Sequence, residues 1–461
     1  MKSALLQLVF TFLLIFALPS YASEEEDRAT AVLMHGRITG VPPDSATLQA
    51  MTALLADGDA RGAALLATES TAFYNLKLRS MFSAWSNVAG NTNTVLNDMV
   101  ATLIGIVRDD IPFKEALYGD YLYTARDDLQ TEQRSPIDPD GQPMRRNNVD
   151  DWCEDGALYP YMANSNEHYH CLQQYGHDLK DSLQQRKQSK VARGHWFKVT
   201  EDDRQYDDQR NVVKGRVWWQ AVQEGALPLA GIAGILSTRG FAKAYYSAGT
   251  NRRATAFVLK YFLCHDMEEL HDINVQENFI RQDVSREPGG DHSLFKQRCR
   301  GCHAGMDALS GWNVYYDFGV DQVKFRDNGR YLGEQLIYQH GAVQPKITKN
   351  VIDPDVGFDY RKEENANDSF KNLWTTGQNS TLGWRGATSG KGAREWGMMI
   401  ATSKAFSACM ATHVYKNVCF STPESDKEIQ ARDALAHNFE AEQYNMRKLF
   451  ADTAAACLVV E

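Results

Sequence analysis

Residues 299–303 read Cys-Arg-Gly-Cys-His, and this run restricts the chain more than any other feature of its 461 residues. Two thiols three positions apart, followed at once by an imidazole, are typical of a c-type haem attachment site. Cys299 and Cys302 would form thioether bonds with the two vinyl groups on one edge of the porphyrin. His303 would then bind the iron as its proximal ligand. The sequence therefore predicts one covalently attached haem c, held by Cys299, Cys302 and His303.

A Cys-x-x-Cys spacing has three other interpretations: a thioredoxin-like redox pair, half of a zinc site, and a chance disulfide. A redox pair is typically found near a βαβ pattern, which the surrounding sequence does not show. A zinc site with four protein ligands needs a second Cys-x-x-Cys or a paired-histidine motif, and the chain has neither. The haem interpretation is favoured because the chain also begins with an export signal.

The N-terminus has the three parts of a secretory signal peptide: Lys2, an apolar run over residues 4–18, and a small-residue end at Ala22. We predict cleavage after Ala22; the alternative is that the run remains as a membrane anchor. No later segment reaches the roughly 18 uninterrupted apolar residues of a membrane-spanning helix. We therefore expect an exported protein of the bacterial periplasm, with no integral membrane span after cleavage.

The charge balance excludes one class of partner. Lysine and arginine total 49 against 59 aspartate and glutamate residues, which gives a net charge of −10 with neutral histidines. Nucleic-acid binding depends on a basic surface that neutralises phosphates. We expect no nucleic-acid partner.

Six cysteines remain outside the haem motif, and export makes disulfides their expected state. The sequence alone does not choose among the many possible pairings. Cys153 and Cys171 are a plausible local bridge. The other four would connect the C-terminal helices to the segment that ends at Cys264. These four are Cys264, Cys409, Cys419 and Cys457.

Apolar spacing of three and four residues predicts a mainly α protein. We expect a multi-helix N-terminal domain followed by a cytochrome-like helical domain with turn-rich insertions. Ser45 is a candidate cap for a helix over 46–56, and helices are predicted over 94–108, 252–269 and 394–418. The predicted segments are a signal peptide (1–22), an N-terminal helical domain (23–126), a polar, loop-rich, disulfide-stapled segment (127–208), a haem domain (209–395) and a C-terminal helical segment (396–461).

The flanks of the motif resemble the planctomycete-type c-cytochrome domain, a family of uncharacterised function. The residues that carry this resemblance are Gly-Ile-Leu-Ser at 234–237, Arg252-Arg253, Leu263-Cys264, the 299–303 motif and Met306-Asp307. The family follows its motif with a turn of the Ile-Asp-Pro-Leu-Gly type. The corresponding turn here, 306–311, lacks the proline, so the loop over the haem would differ.

The C-terminal part resembles the companion helical domain of the same family. Residues 400–409 are similar to its Ser-x-x-Phe-x-x-Cys helix, and residues 444–450 to its final helix. The family often ends its middle helix with Tyr-x-x-Gly-Arg, whereas this chain has Tyr415 through Cys419 there. A cysteine at that place suggests an extra bridge, with Cys457 as the candidate partner.

The second axial ligand of the iron would decide between an electron carrier and a haem enzyme. Met398 and Met399 follow a glycine-rich loop over 383–397, and His340 lies in a Gln-His-Gly turn. These three are the candidate distal ligands. The alternative for either methionine is an ordinary core side chain on an amphipathic helix.

The function expected from these features is a monohaem c-type cytochrome that carries single electrons between periplasmic donor and acceptor proteins. Such a role is electron transfer rather than enzymatic catalysis. Two alternatives remain open from the sequence. One is a peroxidase-like haem enzyme with an open distal site, and the other is a partner-binding scaffold with an auxiliary haem.

Overall fold

The computed structural model describes residues 23–94, 96–125, 178–188, 204–206, 212–214, 227–319 and 335–460. Helices dominate these residues, which confirms the predicted mainly α fold. The predicted signal peptide and the candidate Cys153–Cys171 bridge lie outside the described residues. Within the described ranges, none of the helices has the length and apolar character that crossing a membrane requires.

The longer helices are numbered here in chain order. They are α1 (23–39), α2 (Ser45–Ala56), α3 (Ala60–Ala67), α4 (Arg79–Trp85), α5 (Asp98–Arg108), α6 (Arg239–Tyr245), α7 (Arg252–Phe262), α8 (Arg300–Leu309), α9 (Gly392–Ala401), α10 (Lys404–Val418), α11 (Asp426–Ala441) and α12 (Met446–Val460). Shorter helical turns are Phe73–Leu78, Phe113–Leu117, Leu179–Ser182, Leu229–Gly231, Gly234–Ser237, Pro288–Gly290, His292–Leu294, Phe295–Cys299, Ser310–Asn313, Pro345–Thr348, Glu363–Asn365 and Gln378–Leu382.

The described strands are short and form antiparallel pairs. The pairs are β1 (Leu122–Ala125) with β2 (Leu183–Arg186), β3 (Arg204–Tyr206) with β4 (Val212–Lys214), β5 (Tyr316–Gly319) with β6 (Gln335–Tyr338), and β7 (Ser369–Lys371) with β8 (Ser389–Lys391). Each is a two-stranded sheet. An isolated pair of this kind has little stability in water, so the helices supply the core.

Contacts divide the chain into two compact units, and the division differs from the consecutive segments predicted from the sequence. The described residues of the first unit are 23–78 and 410–460, and those of the second lie between 79 and 409. The first unit therefore joins the N-terminal helices α1–α3 to the C-terminal helices α11 and α12.

The first unit is held by apolar packing and by one disulfide. Helix α12 packs against α3, and the rings of Phe73 and Phe450 meet edge to face with centroids 5.0 Å apart. Arg61 on α3 donates to Asp452 on α12 at 2.5 Å. Cys419 and Cys457 form a disulfide, which confirms the candidate bridge between these two residues.

The core of the second unit is built around α5, where every residue from Asp98 to Val107 is buried. Helices α4 and α6 and strand β1 pack against it. A disulfide joins Cys264, just after α7, to Cys409 on α10. We predicted that Cys264, Cys409, Cys419 and Cys457 connect the C-terminal helices to the segment that ends at Cys264. The Cys264–Cys409 bridge makes this connection. The other bridge does not, because Cys419 and Cys457 pair with each other.

Candidate functional site

The Cys-x-x-Cys-His run lies at the start of α8. Cys299 ends the turn Phe295–Cys299, and Cys302 and His303 follow in the first turn of α8. Both cysteines are half-buried and form no disulfide. With about 3.6 residues per turn, the three side chains line one edge of the helix within roughly one turn. The local fold thus presents two thiols and an imidazole together.

Cys302 is held as a neutral thiol. Its sulfur lies 3.3 Å from the carbonyl oxygen of Met267, to which the S–H group donates. Burial raises the pKa of the Cys302 thiol, and the negative charge of Glu268 acts in the same direction. Both effects disfavour a thiolate at Cys302.

The imidazole of His303 is oriented by a carboxylate one helical turn further along. Nδ1 of His303 lies 3.5 Å from Oδ1 of Asp307, and the His303 side chain keeps a quarter of its surface exposed. An ionised carboxylate only accepts hydrogen bonds, so this contact is a hydrogen bond when Nδ1 carries the proton. In the neutral tautomer that donates through Nδ1, Nε2 keeps the lone pair that a metal-binding histidine requires.

Asp307 is fixed by charged and backbone donors. Arg252 on α7 donates through Nε to Oδ1 at 2.6 Å and through Nη2 to Oδ2 at 2.9 Å. The backbone N–H of Arg281 donates to Oδ2 at 3.0 Å. Burial by itself would raise the pKa of the Asp307 carboxyl, but Arg252, His303 and Arg281 hold it well below its usual value. Asp307 is thus a buried, ionised and immobile acceptor.

Two further residues complete a buried charge cluster, defined here as Arg252, Arg281, Asp283 and Asp307. Arg252 also donates to both carboxylate oxygens of Asp283, at 2.8 and 2.6 Å. Burial opposes its charge, yet Asp307 and Asp283 raise the pKa of Arg252. Arg281 donates through Nη2 to Thr250. With two cations and two anions the cluster has no formal net charge, which is how buried charges are normally tolerated.

The side of α8 that faces away from His303 is packed too closely to admit a side chain at two positions. A Cβ atom at Gly301 would lie 2.6 Å from the ring of His271, and one at Gly305 would lie 2.2 Å from the indole of Trp374. Positions 301 and 305 are four apart and so share one side of the helix. This packing determines how α8 sits, and therefore where its Cys302 and His303 side chains point.

The structure places the three candidate distal ligands as follows. Met399 is buried, and its sulfur accepts from the Asn372 side-chain amide at 3.8 Å. Met398 is 38% exposed. His340 is hydrogen-bonded through Nδ1 to the Tyr338 hydroxyl at 3.1 Å.

Asn372 also accepts from the backbone N–H of Trp374, the residue that packs on Gly305. Met399 is therefore connected to the side of α8 that carries Gly305 rather than to His303. A distal role for Met398, Met399 or His340 stays a prediction.

From the sequence we did not predict Asp307 as the hydrogen-bond partner of His303, or Arg252 as the partner of Asp307. The spacing from His303 to Asp307 is one helical turn, so this contact was visible in the sequence. The partners of Asp307 were not, because Arg252 is 55 positions away along the chain.

Comparisons with known proteins found no relative of this chain. No protein-family model, curated protein or solved structure matches the chain.

Proposed function

We propose that the protein is an exported monohaem c-type cytochrome that carries single electrons between periplasmic partner proteins. One observation carries the proposal: Cys299 and Cys302 remain unpaired beside an imidazole whose Nδ1 already has an acceptor. The four other described cysteines are joined in two disulfides. The unpaired state is thus particular to the motif.

The residues present fit a haem c. Cys299 and Cys302 would hold it through thioether bonds, and His303 would bind its iron through Nε2. When bound, the haem would supply one-electron chemistry between ferric and ferrous iron. The chain contributes the placement: α8 presents the three side chains together, and Asp307 selects the tautomer of His303.

One of the alternatives for the motif has less support from this geometry. A zinc site needs four ligands close together. Among the described residues, Cys299 and Cys302 do not belong to any group of three potential metal ligands within reach of one ion.

The experiment compares absorption spectra of the protein produced in a bacterial host that attaches haem c. Pyridine haemochrome spectra should show one covalent haem per chain. The variant Cys299→Ala with Cys302→Ala should lose it. The matched control, Cys264→Ala with Cys409→Ala, removes a disulfide and should keep the haem. Equal haem content in both double variants would contradict the proposal.

The same preparation separates a carrier from a haem enzyme. If both axial positions of the iron are occupied by protein, carbon monoxide should leave the spectrum of the reduced protein unchanged. A prompt spectral shift on adding carbon monoxide would show an open distal position and would favour the peroxidase-like alternative.

A further inference from the structure

We propose that Asp307 is a positioning residue that lowers the reduction potential of the haem iron through its contact with His303. This inference rests on the proposed haem c site and adds a role for residues outside the motif. Asp307 touches neither the porphyrin-binding thiols nor the iron ligand atom. It acts through Nδ1 of His303.

The first step is the rigidity of the acceptor. The carboxylate of Asp307 receives three N–H groups, two from Arg252 and one from the backbone of Arg281. Its side chain is fully buried, whereas the His303 side chain is a quarter exposed. Asp307 therefore cannot follow the imidazole. The imidazole must adjust to Asp307, which sets the orientation of the ring.

The second step is the length of the contact. At 3.5 Å the distance between Nδ1 and Oδ1 is at the long end for a hydrogen bond. Asp307 is fixed on its other side by Arg252, so any change in this distance comes from movement of the His303 imidazole.

The third step is the effect on the iron. A carboxylate that accepts from Nδ1 makes the imidazole a more basic ligand. A more basic ligand, with a negative charge behind it, stabilises ferric iron more than ferrous iron. Hydrogen bonding to the axial ligand is one of the means by which proteins set haem potentials. The expected direction is a lower potential.

The cluster offers a matched pair of variants. Asp307 and Asp283 are both carboxylates bound to the Arg252 guanidinium, but only Asp307 contacts His303. Asp307→Asn and Asp283→Asn each remove one negative charge from the same cluster. A difference between them isolates the contact with the imidazole from the charge of the cluster.

The measurement is the midpoint potential by spectroelectrochemical titration, with haem content checked in each sample. Asp307→Asn should raise the potential enough to change the one-electron equilibrium constant at least about tenfold, or about 59 mV. Asp283→Asn should change it less. Equal shifts in the two variants, or an unchanged potential in Asp307→Asn with full haem content, would overturn the inference.

A second measurement needs no variant and covers the case in which Asp307→Asn does not fold. In the reduced wild-type protein, NMR should show the His303 Nδ1–H exchanging slowly with solvent, because a hydrogen bond protects it. Rapid exchange would overturn the inference. Haem present with an unshifted potential contradicts this inference alone, whereas absence of covalent haem from the wild type overturns the proposed function as well.

Discussion

Gly305 lies against the indole of Trp374 so closely that a Cβ atom at position 305 would be 2.2 Å from the ring. Trp374 is fully buried, so it cannot swing away. This contact fixes the side of α8 that faces away from His303. The geometry of the motif therefore depends on a glycine two positions beyond it.

We predict that Gly305→Ala destabilises the protein by about 1–3 kcal/mol, the usual cost of overpacking a well-filled core. Thermal or urea unfolding checks this. The control is Gly36→Ala in α1, where a Cβ atom would meet nothing within 4 Å. That variant should be neutral or slightly stabilising, because alanine favours a helix over glycine. Equal effects of the two substitutions would contradict the packing described for α8.

The bridge between Cys264 and Cys409 joins residues that are 145 positions apart in the chain. Disulfides stabilise mainly by restricting the unfolded chain, typically by about 2–4 kcal/mol. Replacing both cysteines with serine should lower the free energy of unfolding by about that amount. Denaturant unfolding of the variant and of the oxidised wild type measures the difference. A stability equal to that of the wild type would show that the bridge does not form.

The N-terminus of α11 carries a capping box. Ser425 Oγ accepts from the backbone N–H of Glu428, and the Glu428 carboxylate accepts in return from the backbone N–H of Ser425. Ser425→Ala should cost about 1 kcal/mol of stability. Ser425→Asp, which keeps a capping oxygen, should stay close to the wild type. The prediction fails if both variants lose the same amount in urea unfolding.

The hydrogen bond that Glu428 accepts in this capping box makes the stability of the protein depend on pH. The backbone N–H of Ser425, followed by its hydroxyl and the N–H of Glu424, lowers the pKa of Glu428 below its ordinary 4.5. A carboxyl with a lowered folded-state pKa contributes stability above its unfolded pKa and loses it as the pH falls through the folded value. Glu428→Gln should therefore be less stable than the wild type at neutral pH, and the two should converge at acid pH. Urea unfolding across this range checks it, and a gap that widens on acidification would contradict the sign.

Sequence patterns predicted the helices better than their ends. A helix was expected over 252–269, but α7 ends at Phe262 because Leu263 is followed by Cys264, which has a φ of 58° and is held in a disulfide. One helix was expected over 394–418. It is divided, since α9 ends at Ala401 and the Ser403 hydroxyl accepts from the N–H of Phe406 in α10.

The predicted helix cap was also wrong, by one residue. Ser45 was the expected cap of the second helix, yet Asp44 fills that role and its carboxylate accepts from the N–H of Thr47 at 2.9 Å. Adjacent residues of similar capping preference cannot be separated by propensity alone.

The candidate site could also be predicted only in part. Cys299, Cys302 and His303 are recognisable because the chemistry requires a fixed local spacing. The four residues of the buried charge cluster come from three separate stretches of chain, around 252, 281–283 and 307. Arg252 and Asp307 are among the residues that carry the family resemblance, but only the tertiary contacts show that Arg252 binds Asp307 and that Asp307 lies beside His303.

The most direct test of the account is the mass of the peptide that contains residues 299–303, released by protease from mature protein made in a host that attaches haem c. The account predicts that this peptide carries one porphyrin, bound to the sulfurs of Cys299 and Cys302. A peptide of unmodified mass, or one in which these two sulfurs are bonded to each other, would contradict it.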